Sequence, residues 1–178
     1  MGGLLSKLFA SFYSKEMECV LIGLENSGKT TLLNVMASGE AVETCPTIGL
    51  NVKKMKRGGV SIKAWDIGGQ RQYRSEWARY TKGCDCIIFV VDAYARDQIP
   101  TARKELHRLL ENRHLATTPL MVCANKIDLE PHISEHELIR ELNLDYVMDN
   151  PWLVVPISAL HKTGIDQVLT WLIAQAPG

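Results

Sequence analysis

The chain alternates between short, nearly continuous hydrophobic runs and longer amphipathic stretches. ECVLIG at 18–23 leads into GKTTLLNVMAS, and CIIFVVDA at 86–93 leads into TARKELHRLLENRH. PLMVCANK at 119–126 precedes SEHELIREL, and WLVVPIS at 152–158 precedes IDQVLTWLIAQ. Strands that are apolar on both sides, each followed by a helix, predict a mostly parallel sheet covered on both faces. One pair breaks this rhythm. GLNVKKMK at 49–56 and VSIKAWDI at 60–67 flank Arg57-Gly58-Gly59, which predicts an antiparallel hairpin with a tight turn. The fold class is therefore α/β, with no repeat, low-complexity segment or interdomain linker. Ahead of the first strand, Leu4, Leu5, Leu8, Phe9 and Phe12 share a helical spacing. That segment alone fits either the first helix of a core or a membrane foot.

Length and charge narrow the classes. A chain of 178 residues suits one domain with one sizeable core. Lys+Arg and Asp+Glu balance at 20 each with no long basic run, so electrostatic nucleic-acid binding has no footing. The longest apolar stretch, 86–91, is too short to span a bilayer. The 5 cysteines follow no zinc spacing, and Cys19, Cys86 and Cys123 lie in apolar runs, which predicts reduced core thiols. The N-terminus lacks the leading basic region and A-x-A-like site of a secretory signal.

Candidate chemistry begins at GLENSGKT, 23–30, which has the form G-x-x-x-x-G-K-[ST] after a predicted strand and at the start of a predicted helix. Gly23, Glu25, Asn26, Ser27, Gly28, Lys29, Thr30 and Thr31 make up this nucleotide-contacting segment. Glycines let backbone N–H groups curl around a phosphate, and the helix N-terminus adds partial positive charge. Lys29 is placed for the β- and γ-phosphates, and the Thr30 hydroxyl for Mg²⁺. Asp66-Ile67-Gly68-Gly69-Gln70 ends the second hairpin strand. There Asp66 can hold Mg²⁺, the Gly69 N–H can approach a γ-phosphate, and Gln70 can orient a water for attack. Thr47, in the loop before the hairpin, can complete the Mg²⁺ shell.

Asn125-Lys126-Ile127-Asp128 closes the third run at a strand's carboxyl end, where open α/β sheets bind ligands. The Asp128 carboxylate can accept from guanine N1–H and the 2-amino group. Adenine would leave that desolvated charge unpaired. Lys126 can lay its stem over the purine, and Ser158-Ala159 can offer the Ala159 N–H to guanine O6.

GLENSGKTT, PTIG, WDIGGQ, NKID and SAL, in that order, resemble the small GTPases, and PTIGLNV with WDIGGQ narrows the resemblance to the Arf and Arf-like family. It covers nearly the whole chain. RSEW, KELHRLLE and LLSKLF are most similar to the Arf-like subgroup associated with lysosomes. The resemblance implies a six-stranded P-loop GTPase fold, a 1–16 membrane-binding helix ahead of a 17–178 GTP-binding domain, and a monomeric GTP/GDP switch requiring Mg²⁺. It further implies an exchange factor, a GTPase-activating protein, and effectors recruited to endomembranes in trafficking. The expected location is the cytoplasm and the cytosolic face of endomembranes, late endosome and lysosome before Golgi. Leu50, Trp65 and Tyr80 become the effector patch. The hairpin is expected to slide in register and displace the N-terminal helix when GTP binds.

Three departures from the family pattern stand out: Glu25 at an Asp or uncharged position, Leu50 where Phe is frequent, and Gly2 where the lysosomal subgroup usually lacks it. M-G-x-x-x-[ST] makes Gly2 a myristoylation candidate once Met1 is removed. Glu25 near Gln70 predicts slow intrinsic turnover, and it leaves a GTP-binding adaptor without significant hydrolysis as the alternative. Arg71 and Arg74 are expected at a partner-facing surface, with the arginine finger supplied in trans, an effect on the order of 10³–10⁵ in rate. His132 and His136 are expected on a solvated helix start, and Trp152 and Trp171 in the core.

Overall fold

The computed structural model describes residues 15–41, 44 and 46–178. The strands are β1 (Lys15–Ile22), β2 (Leu50–Arg57), β3 (Val60–Ile67), β4 (Cys86–Asp92), β5 (Leu120–Asn125) and β6 (Trp152–Pro156). Between and after them run α1 (Lys29–Ser38), α2 (Trp77–Tyr80), α3 (Ile99–Leu110), α4 (Glu135–Glu141) and α5 (Ile165–Ala174). A 3₁₀ segment at Arg71–Glu76 precedes α2. The strands form one 6-stranded sheet in the order β2-β3-β1-β4-β5-β6, parallel except for β2 against β3. Residues 15 and 16, assigned from the sequence to the leading helix, are strand, and Gly2 with the rest of that helix lies outside the described residues.

Alternation along each strand explains why the runs are apolar throughout. In β1, Cys19 and Leu21 enter one buried cluster with α1 and α5, while Val20 and Ile22 enter a second with α2, α3 and α4. Cys86, Ile88 and Val90 of β4 likewise belong to the first cluster, and Ile87, Phe89 and Val91 to the second. Successive side chains point to opposite faces, so a strand covered on both sides has no polar position to offer. Trp152 and Trp171 are half-buried against these clusters. Among the described residues no helix is long and apolar enough to cross a membrane.

The hairpin turn is as tight as the glycines imply. Gly58 and Gly59 both have positive φ, 53° and 77°, the geometry of a two-residue turn that matches strand twist. A Cβ at Gly58 would meet Ile173 Cδ1 at 2.8 Å, so the turn packs directly on α5. Beside it, Arg57 donates from Nη2 to Met36 O and Ala37 O, at 2.9 and 3.1 Å, satisfying carbonyls in the last turn of α1. Ser134 starts α4 with a reciprocal capping box to Glu137.

The buried thiols are inert. Burial pushes Cys19 from an ordinary 9.0 up to about 12, and raises Cys86 and Cys123 well above the usual range. The thiolate is the nucleophile, so alkylation at pH 8 followed by peptide mass spectrometry should leave Cys19, Cys86 and Cys123 unmodified in the native chain and modified in urea. Rapid native labelling at these positions would contradict the packing.

Candidate functional site

All the connections that follow carboxyl ends of β1, β3, β4, β5 and β6 meet at one edge of the sheet, and a cleft of about 620 Å³ opens there. Thirteen residues proposed from the sequence line it, from Glu25, Asn26 and Gly28 through Gln70 to Asp128 and Ala159. Gly23, Ser27, Asp66 and Ser158 sit behind that lining and hold it in place.

At one end β1 turns into α1. Gly28, at φ 95°, allows the reversal, and a Cβ there would strike Asn125 Nδ2 at 2.1 Å. Lys29 is buried, its Nζ donating to Gly23 O at 3.0 Å and Leu24 O at 2.8 Å. Burial lowers its pKa from 10.5 to about 8, Arg74 adding to the effect while Asp66 and Glu25 oppose it. Facing it, Asp66 is fully buried and its pKa is raised, by burial first, against hydrogen bonds from Thr30 and Thr47 and the charge of Lys29.

The Thr30 hydroxyl lies 2.5 Å from Asp66 Oδ2 and 2.8 Å from Thr47 Oγ1, which itself lies 3.3 Å from Asp66 Oδ2. Asp66 Oδ1 has no partner at all. Hard oxygen donors converging on an unsatisfied buried carboxylate fit Mg²⁺, which takes one or two protein oxygens and fills its octahedron with phosphate and water. Among the described residues no group of three or more His, Cys, Asp or Glu could hold a metal without such help.

Gly69 lies flat against the phosphate loop. A Cβ there would fall 2.4 Å from Gly23 O and 2.5 Å from Glu25 N, so only glycine permits this approach. Gln70 follows it into the cleft, which exposed Glu25 also lines.

The other end is a network centred on Asn125. Its Nδ2 donates to Ser27 O at 2.9 Å and its Oδ1 accepts from the Ala159 N–H at 3.0 Å, so one buried amide ties the phosphate loop to the loop after β6. The Ala159 N–H, assigned from the sequence to guanine O6, is thus already satisfied within the protein. Asp128 Oδ1 accepts from Ser158 Oγ at 2.6 Å, which aims its carboxylate into the cleft. Lys126 crosses the loop, donating to Asn26 O and Asp92 Oδ2, each at 2.6 Å.

Sequence reasoning overlooked several contributors. Asp92 anchors Lys126 while its Oδ1 accepts from the Tyr94 and Ala95 N–H groups. Its place as the last residue of an apolar strand was the available signal. Leu129 and Leu160 wall the Asp128 end, and Ala41, Thr44 and Pro46 line the phosphate end. Arg74 is a correction: it is no free surface cation, because Nε donates to Gly69 O at 3.0 Å and Nη1 pairs with Glu105 at 3.5 Å. Arg71 is exposed as expected. His136 is exposed, and His132 bonds Ile133 O rather than pairing with it.

Away from the cleft, Leu50, Trp65 and Tyr80 are half-buried against the second core cluster, with Trp65 and Tyr80 ring centroids 6.1 Å apart. Register places Val52 opposite Trp65, and Val52 and Ile48 are exposed beside them. Glu18 accepts from Trp65 Nε1 at 3.2 Å and from Lys63 at 3.1 Å, fixing the indole.

Removing the Asn125 amide leaves the Ser27 carbonyl and the Ala159 N–H buried without partners. Asn125→Ala should therefore destabilise the nucleotide-free chain by about 2 kcal/mol, lowering Tm by roughly 4–8 °C in a thermal melt. An unchanged Tm would show that these loops do not depend on it.

The family model for the ADP-ribosylation factor family matches residues 1–176. An ADP-ribosylation factor-like protein 8c of Arabidopsis thaliana is 42% identical over 171 residues, 96% of this chain and 93% of that protein. Among solved structures, the Arl6 BBS3 small GTPase from Trypanosoma brucei with bound nucleotide analogue GppNp superposes with a TM-score of 0.83 at 29% identity, covering 89% of this chain and 96% of that one.

Proposed function

The chain belongs to the ADP-ribosylation factor family and is an Arf-like small GTPase, a GTP hydrolase; from that premise we propose a Mg²⁺-dependent switch that recruits effectors to endomembranes while GTP is bound. The observation that carries the proposal is the closure of the Thr47 loop and the Gly68–Gly69 turn on the phosphate loop. Thr47 reaches Thr30 and Asp66 from one side, and Gly69 packs against Gly23 and Glu25 from the other. Two segments meeting where a γ-phosphate would lie make the arrangement sensitive to whether that phosphate is present.

Each residue has a defined task. Lys29 and the loop amides hold the phosphates, and Lys29, partly deprived of water, gains from an anion that stabilises its charged form. Thr30, Thr47 and Asp66 would hold Mg²⁺, which would supply positive charge against the phosphates. Gln70 orients the attacking water. Asp128, held by Ser158, reads the guanine edge, and Lys126, held by Asp92, covers the ring. Glu25 puts a carboxylate in the same cleft as Gln70, which supports slow intrinsic turnover and reliance on an activating protein for an arginine.

The rest follows from the resemblance. Leu50, Trp65 and Tyr80, with exposed Val52 beside them, form the effector surface. The N-terminal segment, with Gly2 as acyl acceptor, is the membrane foot. One myristoyl chain binds with K of only about 10⁴ M⁻¹, so the apolar residues Leu4, Leu5, Leu8, Phe9 and Phe12 supply the second signal. The chain acts as a monomer on late endosomes or lysosomes.

Two measurements test this. Gln70→Leu should abolish hydrolysis stimulated by a GTPase-activating extract while GTP binding survives; wild-type hydrolysis in that variant would remove Gln70 from the mechanism. Membrane fractionation of a GTP-locked form should show less partitioning for Gly2→Ala. Unchanged partitioning would leave the helix alone as anchor.

A further inference from the structure

Two consecutive carbonyls of the Gly68–Gly69 turn both accept side-chain hydrogen bonds from the 3₁₀–α2 segment. The Trp77 indole Nε1 donates to Gly68 O at 3.2 Å, and Arg74 Nε donates to Gly69 O at 3.0 Å. Neither donor wanders. Trp77 is 2% exposed and meets Phe89 edge-on, with ring centroids 6.3 Å apart. Arg74 is clamped by Glu105 of α3, and their side chains are only 14% and 15% exposed. Glu105 follows Ala102 by one helical turn and precedes Leu109 by another. α3 buries both of these apolar residues, so the carboxylate stands at the edge of a fixed face.

A peptide unit is planar and trans, so its N–H points away from its C=O. The Gly68 carbonyl shares its plane with the Gly69 N–H, and the Gly69 carbonyl shares its plane with the Gln70 N–H. Drawing both carbonyls toward Trp77 and Arg74 turns both N–H groups the other way. The Gly69 backbone itself lies against the phosphate loop, close enough that a Cβ on Gly69 would overlap Gly23 O. Trp77, Arg74 and Glu105 themselves do not line the cleft. They line a separate hollow of about 390 Å³ between the 3₁₀–α2 segment and α3.

We infer that Trp77 and Arg74, the latter through Glu105, are positioning residues that aim the Gly69 and Gln70 amides at the γ-phosphate and its attacking water. This rests on the GTP-switch reading. The effect is selective by construction, because a diphosphate offers nothing at that position.

The test uses the full chain and compares affinities for GTPγS and GDP, single-turnover GTP hydrolysis, and the melting temperature of the GDP form. Trp77→Phe keeps an aromatic ring and removes the donor; Arg74→Ala removes the second donor at a less buried site. Each should lower GTPγS affinity and hydrolysis by about tenfold, the size of one lost hydrogen bond, while GDP affinity falls far less. The GDP form of Trp77→Phe should melt lower, because a buried ring shrinks and Gly68 O loses its donor, so the ratio of GTPγS to GDP affinity decides. Glu105→Ala should lose in the same direction but less. The exchange Arg74→Glu with Glu105→Arg should not restore function, because a carboxylate at 74 cannot donate to Gly69 O. Equal losses for both nucleotides, no loss, or rescue by the exchange would each overturn the inference. A wild-type chain that bound no guanine nucleotide would overturn the GTP-switch reading beneath it. A wild type that discriminates and turns over, matched by Arg74→Ala, would sink the positioning role alone.

Discussion

Lys29 and Asp66 are both buried at the phosphate end of the cleft, and among the described residues they do not form an ion pair with each other. Lys29 is bonded to backbone carbonyls, and Asp66 is held by threonine hydroxyls with one oxygen unpartnered. Burial moves each toward its neutral form, lowering the lysine and raising the aspartate. Taking charged groups out of water is costly unless partners are supplied. An anionic phosphate beside Lys29 and a cation beside Asp66 would supply them together. The cleft thus carries an electrostatic deficit of the kind a metal-bound nucleotide would relieve.

Holding that deficit in place takes rigid surroundings. The parallel sheet provides them, since its strands are buried on both faces and their ends cannot shift without disturbing two core clusters. Polar ties then fix the loops to one another: Asn125 between the phosphate loop and Ala159, Lys126 between Asn26 and Asp92, Ser158 on Asp128. The hairpin is different. It is antiparallel, lies at the sheet edge, and meets the body through Arg57, Gly58 and the β3–β1 ladder. An edge hairpin can change its register by two residues without turning its side chains over. The element that carries Asp66, Trp65 and Leu50 therefore keeps its place in the sheet through a single ladder, β3 on β1.

The separation between the reading end and the sensing end has a chemical logic. Asp128 and Lys126 stand on loops fixed by buried hydrogen bonds, which suits a base that must be recognised in every state. Thr47, Gly69 and Gln70 stand on segments whose closure depends on short contacts across the cleft. In the proposed switch a triphosphate would bridge the two, and loss of its last phosphate would remove partners only from the second group.

Much of this could be seen in the order of residues. Apolar runs that stay apolar on both sides can only be covered strands, and Gly-Gly between two alternating stretches can only be a tight hairpin. GLENSGKT, WDIGGQ and NKID each carry their chemistry within a few consecutive residues, so Lys29, Thr30, Asp66, Gln70 and Asp128 were legible as a set. What stayed hidden was every partnership between distant segments. Arg74 looked like a surface cation because Glu105, its partner on α3, is remote in sequence. Asp92 looked like the end of a strand until Lys126 was folded over it. The Ala159 N–H looked free until Asn125 Oδ1 took it. Local periodicity and motif spacing determine which elements form and which groups can bind phosphate or base. Which of those groups is spent inside the protein, and which is left facing the cleft, was decided only when tertiary packing brought the chain ends of five strands together.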